Sequence, residues 1–196
     1  TGIAIGLKNG DKTSANGNVA TVAIGAHSNA TGSSSVAIGG AVVNGAGAIG
    51  LGWSTANGDN SVALGGTGST IANGNNAFAA SGGNATGESA TAIGSNAIAS
   101  GRGGVAVGWN AESKVNAVGI GFNAKAKSNN TVAIGVEANS DNGIGDNSSS
   151  VSIGVKTRAR EVGSMAMGVS ADASGKYSIA LGSGNVSGDY TATANY

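Results

Sequence analysis

Residues able to do chemistry are few in this chain. Its 196 residues include one histidine, His27, and no cysteine. That excludes a thiolate metal site and any metal site needing two histidines from one chain. A Ser-His-Asp relay would have to use His27, and no nucleophile motif lies near it. His27 reads as a turn residue. The 10 acidic residues are scattered, and no motif pairs two of them for glycoside cleavage. Asp141 and Asp146 share one polar stretch, and carboxylates with carbonyls can hold a hard cation. Their spacing matches neither an EF-hand loop nor the Gly-rich calcium nonapeptide. The reading is therefore no catalytic residue, no metal and no cofactor.

Binding chemistry has better candidates. Trp53, Trp109 and Phe122 each follow a glycine that closes a recurring phrase, and aromatic side chains are common anchors of contact surfaces. Lys125, Lys127, Lys156, Arg158 and Arg160 form a mildly basic stretch nearby, diluted by Glu112, Glu137 and Asp141. The candidate ligand-binding residues are Trp109, Phe122, Lys125, Lys127, Arg158 and Arg160. The formal net charge is zero, so charge alone gives no affinity for nucleic acid or for an anionic membrane.

What must position these side chains is a repeat. The phrase reads "TVAIG" at 21–25 and 131–135, "SVAIG" at 35–39, "SVALG" at 61–65, "GVAVG" at 104–108 and "SMAMG" at 164–168. Its closing glycine recurs at Gly6, Gly25, Gly39, Gly52, Gly65, Gly94, Gly108, Gly121, Gly135, Gly154, Gly168 and Gly182, with Ala79 expected in the same slot between Gly65 and Gly94. Most intervals are about 14 residues, enough for two short strands and two turns, one rung of a β-solenoid. Large apolar residues alternate with small ones in the phrase, as in Val132, Ala133, Ile134, which is the strand period. No charge occurs in these phrases. A strand uncharged on both faces should be buried on both, so one face fills the roll and the other needs a second layer or molecule.

A second strand follows each glycine. Its alternate residues are small, as in Ala124 and Ala126, and the ones between are polar, as in Lys125 and Lys127. Stacked in parallel, they make a column of Glu112, Lys125, Asn139, Arg158 and Asp172, and another of Lys114, Lys127, Asp141 and Arg160. Two intervals of 19 residues hold insertions, near 7–19 and 140–150, and loops that break a repeat are where specific contacts concentrate.

The chain has 37 Gly, no Pro, 10% charged and 4% aromatic residues. An ordinary domain carries about 25% charge and about 7% Gly, so a thick core of large side chains is ruled out. No apolar run is long enough for a membrane-spanning helix.

The recurring "SVAIG" and "TVAIG", the period near 14 residues, "NA" or "SA" soon after the glycine, and the lack of Pro and Cys together resemble the head domain of YadA-like trimeric autotransporter adhesins. The resemblance covers nearly the whole chain. It implies an all-β, left-handed parallel β-roll, assembled as a homotrimer. It also implies exposure on the Gram-negative outer membrane after type V secretion, a role in cell adhesion and virulence, and no enzymatic activity. Partners would be further copies of the chain and a host receptor, an extracellular-matrix protein or other bacteria. Residues 1–196 read as one head fragment, with no neck, coiled coil or membrane barrel, reaching a membrane only through a C-terminal anchor that it lacks. It is expected to end in one more rung, "GDYTATANY". The alternatives are a β-solenoid enzyme and an ice-binding solenoid. A hexapeptide acyltransferase would show an apolar residue at every sixth position, and an ice-binding face a regular array of Thr.

Overall fold

The computed structural model describes residues 2–6, 13–17, 19–65, 70–141, 149–182 and 192–194. Among them every regular element is a β-strand. The chain divides into two compact units, residues 1–96 and 97–196.

Both units follow one plan. In the first, Gly2–Ile5, Thr21–Ile24, Val36–Ile38, Ile49–Leu51, Val62–Leu64, Phe78–Ala80 and Thr91–Ile93 pair in parallel, each with the next. Between them in sequence run Ser14–Ala15, Asn29–Ala30, Val42–Val43, Ser54–Ala56, Thr70–Ala72 and Asn84–Ala85, which pair into a second parallel sheet. In the second unit the phrase strands run from Val105–Val107 through Val118–Ile120, Val132–Ile134, Val151–Ile153 and Met165–Met167 to Ile179–Leu181. Their companions run from Ile98–Ala99 through Glu112–Ser113, Lys125–Ala126, Asn139–Ser140 and Arg158–Ala159 to Asp172–Ala173. The fold is a parallel β-solenoid of stacked two-strand coils.

The core is made of small residues. From Thr21–Ile24 onward the middle residue of the phrase is buried, as at Ala106, Ala133, Ser152 and Ala166, and so are the small residues of the facing strand, such as Ala124, Ala126, Ala171 and Ala173. With mostly methyl and hydroxymethyl groups between them, and nothing larger than Val43 and a few threonines, the two sheets lie close together. The large residues of the phrase point the other way: Val105, Val132 and Ile134 are half-buried, and Ile120 and Met167 are exposed.

The turns explain the rest of the phrase. Where its first residue is Ser or Thr, the hydroxyl can bond back to the carbonyl three residues earlier: Ser35 to Gly32, Thr131 to Ser128, Ser164 to Glu161 and Ser178 to Gly175. Thr21 and Ser61 hold the same place without such a partner. The closing glycine is required at Gly121, where φ is +130° and an added Cβ would strike the Gly135 carbonyl of the next coil.

Two expectations are corrected. Strand register pairs Phe78 with Val62, Ala79 with Ala63 and Ala80 with Leu64. The closing slot therefore belongs to Ser81, whose amide donates to the Leu64 carbonyl, and Ala79 is a buried core residue. Ser81 holds the slot at a φ of +53°, a left-handed backbone that short polar residues adopt more readily than alanine. The C-terminal stretch adds no further parallel rung: Ala192–Ala194 pairs antiparallel with Ile179–Leu181. Ala192, Thr193 and Ala194 lack the large alternate residues of a phrase, and an antiparallel neighbour satisfies the edge hydrogen bonds of Ile179–Leu181 as well as a parallel one. The two insertions fall largely outside the described residues, as does Asp146.

Candidate functional site

Both candidate aromatics occupy the first position after a closing glycine, where the chain leaves the phrase strand. The register of Val105–Val107 on Val118–Ile120 places Trp109 and Phe122 at the same turn of successive coils. Their rings stack, with centroids 4.9 Å apart and planes at 15°. About half of each side chain remains exposed, 48% and 49%. The next residue of each turn is a left-handed Asn, Asn110 and Asn123, and the Asn110 amide donates to Asn123 Oδ1 at 2.8 Å. The turn is tied across coils by rings on one side and amides on the other.

The column of aromatics continues in aliphatic form. Val136, Val155 and Val169 hold the same position in later coils, and all three are exposed. Each follows a closing glycine, so the strip is legible in the sequence, although no aromatic residue marks it.

The polar columns stand as expected. Glu112 pairs with Lys125, Lys125 with Asn139, Asn139 with Arg158, and Arg158 with Asp172. The cations in them differ in availability. Lys125 donates to Glu112 Oε1 and to the Asn110 carbonyl at 2.9 Å, which ties the polar strand to the aromatic turn. Lys127 lies 4.0 Å from Glu112 Oε2. Arg160 makes a two-point contact with Asp172, at 2.8 and 2.6 Å, and this carboxylate raises the guanidinium above its ordinary pKa. Arg158 is exposed and bonds to no described side chain. Among the described residues Lys125 and Arg160 are thus engaged within the protein, while Lys127 and Arg158 are exposed and more loosely held. A shallow groove of about 260 Å³ runs past Ile98, Glu112, Lys114 and Lys127.

The first unit carries its own aromatic contact. Trp53 lies against the backbone of Gly40, where a Cβ would meet the indole at 3.2 Å, and its ring is 5.8 Å from His27 at 35°. His27 is a turn residue with φ of +61°, as its sequence position indicated; its contact with Trp53 was not legible, because it reaches past an intervening coil.

Stacked parallel coils with a core of mostly alanine, a polar sheet that carries charge in the second unit, and an apolar outer face define a parallel β-solenoid. The model of the YadA head domain repeat matches residues 9–41, 44–67, 85–111, 113–138 and 159–185, well over half of the chain. The chain belongs to the YadA head family, a family of non-enzymatic adhesins. No curated protein matches it. Among the described residues no helix is long and apolar enough to cross a membrane.

Proposed function

We propose that residues 1–196 form a head region that assembles as a homotrimer of left-handed β-rolls and attaches bacteria to host cells, extracellular matrix or other bacteria. The supporting observation is the outer face of the phrase sheet. The large apolar residues Val118, Ile120, Val132, Ile134, Val151 and Ile153 all project from it in register, and none of them is buried. A parallel sheet is ordinarily covered on both faces, and the alanine core covers only one. Further copies of the same chain supply a matching apolar face. The count of three, the handedness, type V secretion and presentation on the outer membrane rest on family membership. The contact surface would include Trp109, Phe122, Lys127 and Arg158, with Lys125 and Arg160 holding its shape. The longer loops near 7–19 and 140–150 are further places for specific contact. Many copies on a cell, each threefold, would make weak contacts collectively strong.

Light scattering tests the assembly. The chain should run as a trimer, and Ile134→Asp should run as a monomer, because burying an unpaired charge costs several kcal/mol. A stable folded monomer of the unaltered chain at working concentrations removes the argument. Attachment of the trimer to matrix-coated surfaces and to epithelial cells then tests adhesion.

A further inference from the structure

The polar sheet of the first unit carries a column of a different kind. Register aligns Thr31, Asn44, Asn57 and Asn73 in successive coils. The Thr31 hydroxyl donates to Asn44 Oδ1, Asn44 Nδ2 to Asn57 Oδ1, and Asn57 Nδ2 to Asn73 Oδ1, each at 2.7 Å. All four residues are exposed. The ladder has a direction, and among the described residues it ends at Asn73, whose Nδ2 finds no acceptor. Asn16 begins the same column, also before a glycine, and makes no ladder bond among the described residues, so it is unshielded like Asn73.

Each of the three asparagines precedes a glycine: Gly45, Gly58 and Gly74. The glycines are imposed by packing, since a Cβ at Gly58 would strike the Gly74 carbonyl and one at Gly74 the Gly87 carbonyl. The pair Asn-Gly is chemically labile, because no side chain hinders attack of the glycine nitrogen on the asparagine amide carbon. The solenoid thus repeats a reactive dipeptide in one exposed column.

We propose that Asn73 is a site of spontaneous deamidation and that the amide ladder shields Asn44 and Asn57. The Gly74 nitrogen loses its proton and forms a bond to Asn73 Cγ. The Cγ–Nδ2 bond breaks, and ammonia leaves with the proton. Water then opens the succinimide to an aspartyl or isoaspartyl residue. The attacking nitrogens are held alike: the amides of Gly45, Gly58 and Gly74 donate to the carbonyls of Ala56, Ala72 and Ala85, each at 3.3 Å. The side chains differ. Asn44 and Asn57 must break two ladder bonds to bring Cγ to the next nitrogen, and Asn73 must break one.

The product fits most simply at the end. A carboxylate at position 73 still accepts from Asn57 Nδ2, and an ionised acceptor strengthens that bond. A carboxylate at position 57 would face Asn73 Oδ1 until the Asn73 amide turned over to present Nδ2. The neighbouring column of this sheet holds Asn29, Val42, Thr55, Ile71 and Asn84. Conversion of Asn73 would therefore place a negative charge on a face whose two columns are otherwise uncharged.

Peptide mapping by mass spectrometry tests this on the folded chain, aged in mildly alkaline buffer. Asn73 should convert about fivefold faster than Asn44 or Asn57, the factor for one net side-chain hydrogen bond of about 1 kcal/mol. In Asn73→Ala, the Asn57 amide loses its acceptor, and its conversion should rise by a similar factor. In Asn57→Ala, conversion of Asn44 should rise likewise, and circular dichroism reports whether each variant keeps the fold. In denaturant the three sites should react at one rate. Equal rates at the three sites in the folded chain, or no acceleration of Asn57 and Asn44 in folded variants, overturn the proposal.

Discussion

The indole of Trp109 lies over the ring of Phe122 at a centroid distance of 4.9 Å, on a turn that both residues occupy one coil apart. Such a pair contributes about 0.5–1.5 kcal/mol beyond its area. Phe122→Ala should shift Trp109 fluorescence to the red and lower stability by about 1–2 kcal/mol. The double variant Trp109→Ala, Phe122→Ala should stay assembled and lose attachment. Attachment equal to that of the unaltered chain would leave the pair a packing role only.

Glu137 and Lys156 hold left-handed backbone, with φ of +56° and +57°. Asn96, Asn110 and Asn123 take the equivalent turn at +58°, +55° and +55°, and asparagine tolerates that region better than long side chains. Glu137→Asn and Lys156→Asn should each raise stability by about 0.5–1 kcal/mol. The denaturant midpoint reads the effect, and an unchanged or lower midpoint counts against the assignment of strain to these turns.

Gly58 and Gly39 resist alanine for different reasons. At Gly58 the added Cβ meets the Gly74 carbonyl, which the stacked sheet holds in place. At Gly39 the nearest atoms are 3.6 Å away and only the φ of +72° objects. Gly58→Ala should cost about 3 kcal/mol or more by overpacking, and Gly39→Ala about 1–2 kcal/mol. Thermal melts that reverse this order would mean that neighbouring coils can move apart at the Gly58 column.

Removing residues 109–121 joins Gly108 to Phe122, which already holds the place of Trp109 one coil later. Coils contact mainly their neighbours, so this deletion should fold and unfold cooperatively. Removing residues 109–115 takes the polar strand without its phrase strand and should leave a chain that does not fold. Circular dichroism and melting compare the two, and the reverse outcome would falsify the two-strand coil.

Much of this was legible in the residues. Short-range alternation identified the strands, and the closing glycine counted the coils. The column from Glu112 to Asp172 could be written before any register was known, because a parallel stack places equivalent residues side by side. The closing slot of the coil after Gly65 was not legible. "FAAS" at 78–81 offers small residues at several positions and no glycine, and only the hydrogen bond from Ser81 to Leu64 shows which of them closes the phrase.

Local sequence alone determined the period, the strands and the absence of a bulky core, because these depend on neighbours along the chain. The tertiary structure decided which face of the phrase looks inward. Val132, Ala133 and Ile134 present an uncharged side in either direction. The close approach of the second sheet leaves room inside for Ala133 and not for Ile134. It also decided which cations stay open, since Lys125 reaches Glu112 and Asn110, and Arg160 reaches Asp172, across coils that the sequence separates. The ring contact of Trp53 with His27 belongs to the same class. Each depends on side-chain reach between stacked coils, a distance that a one-dimensional repeat does not contain.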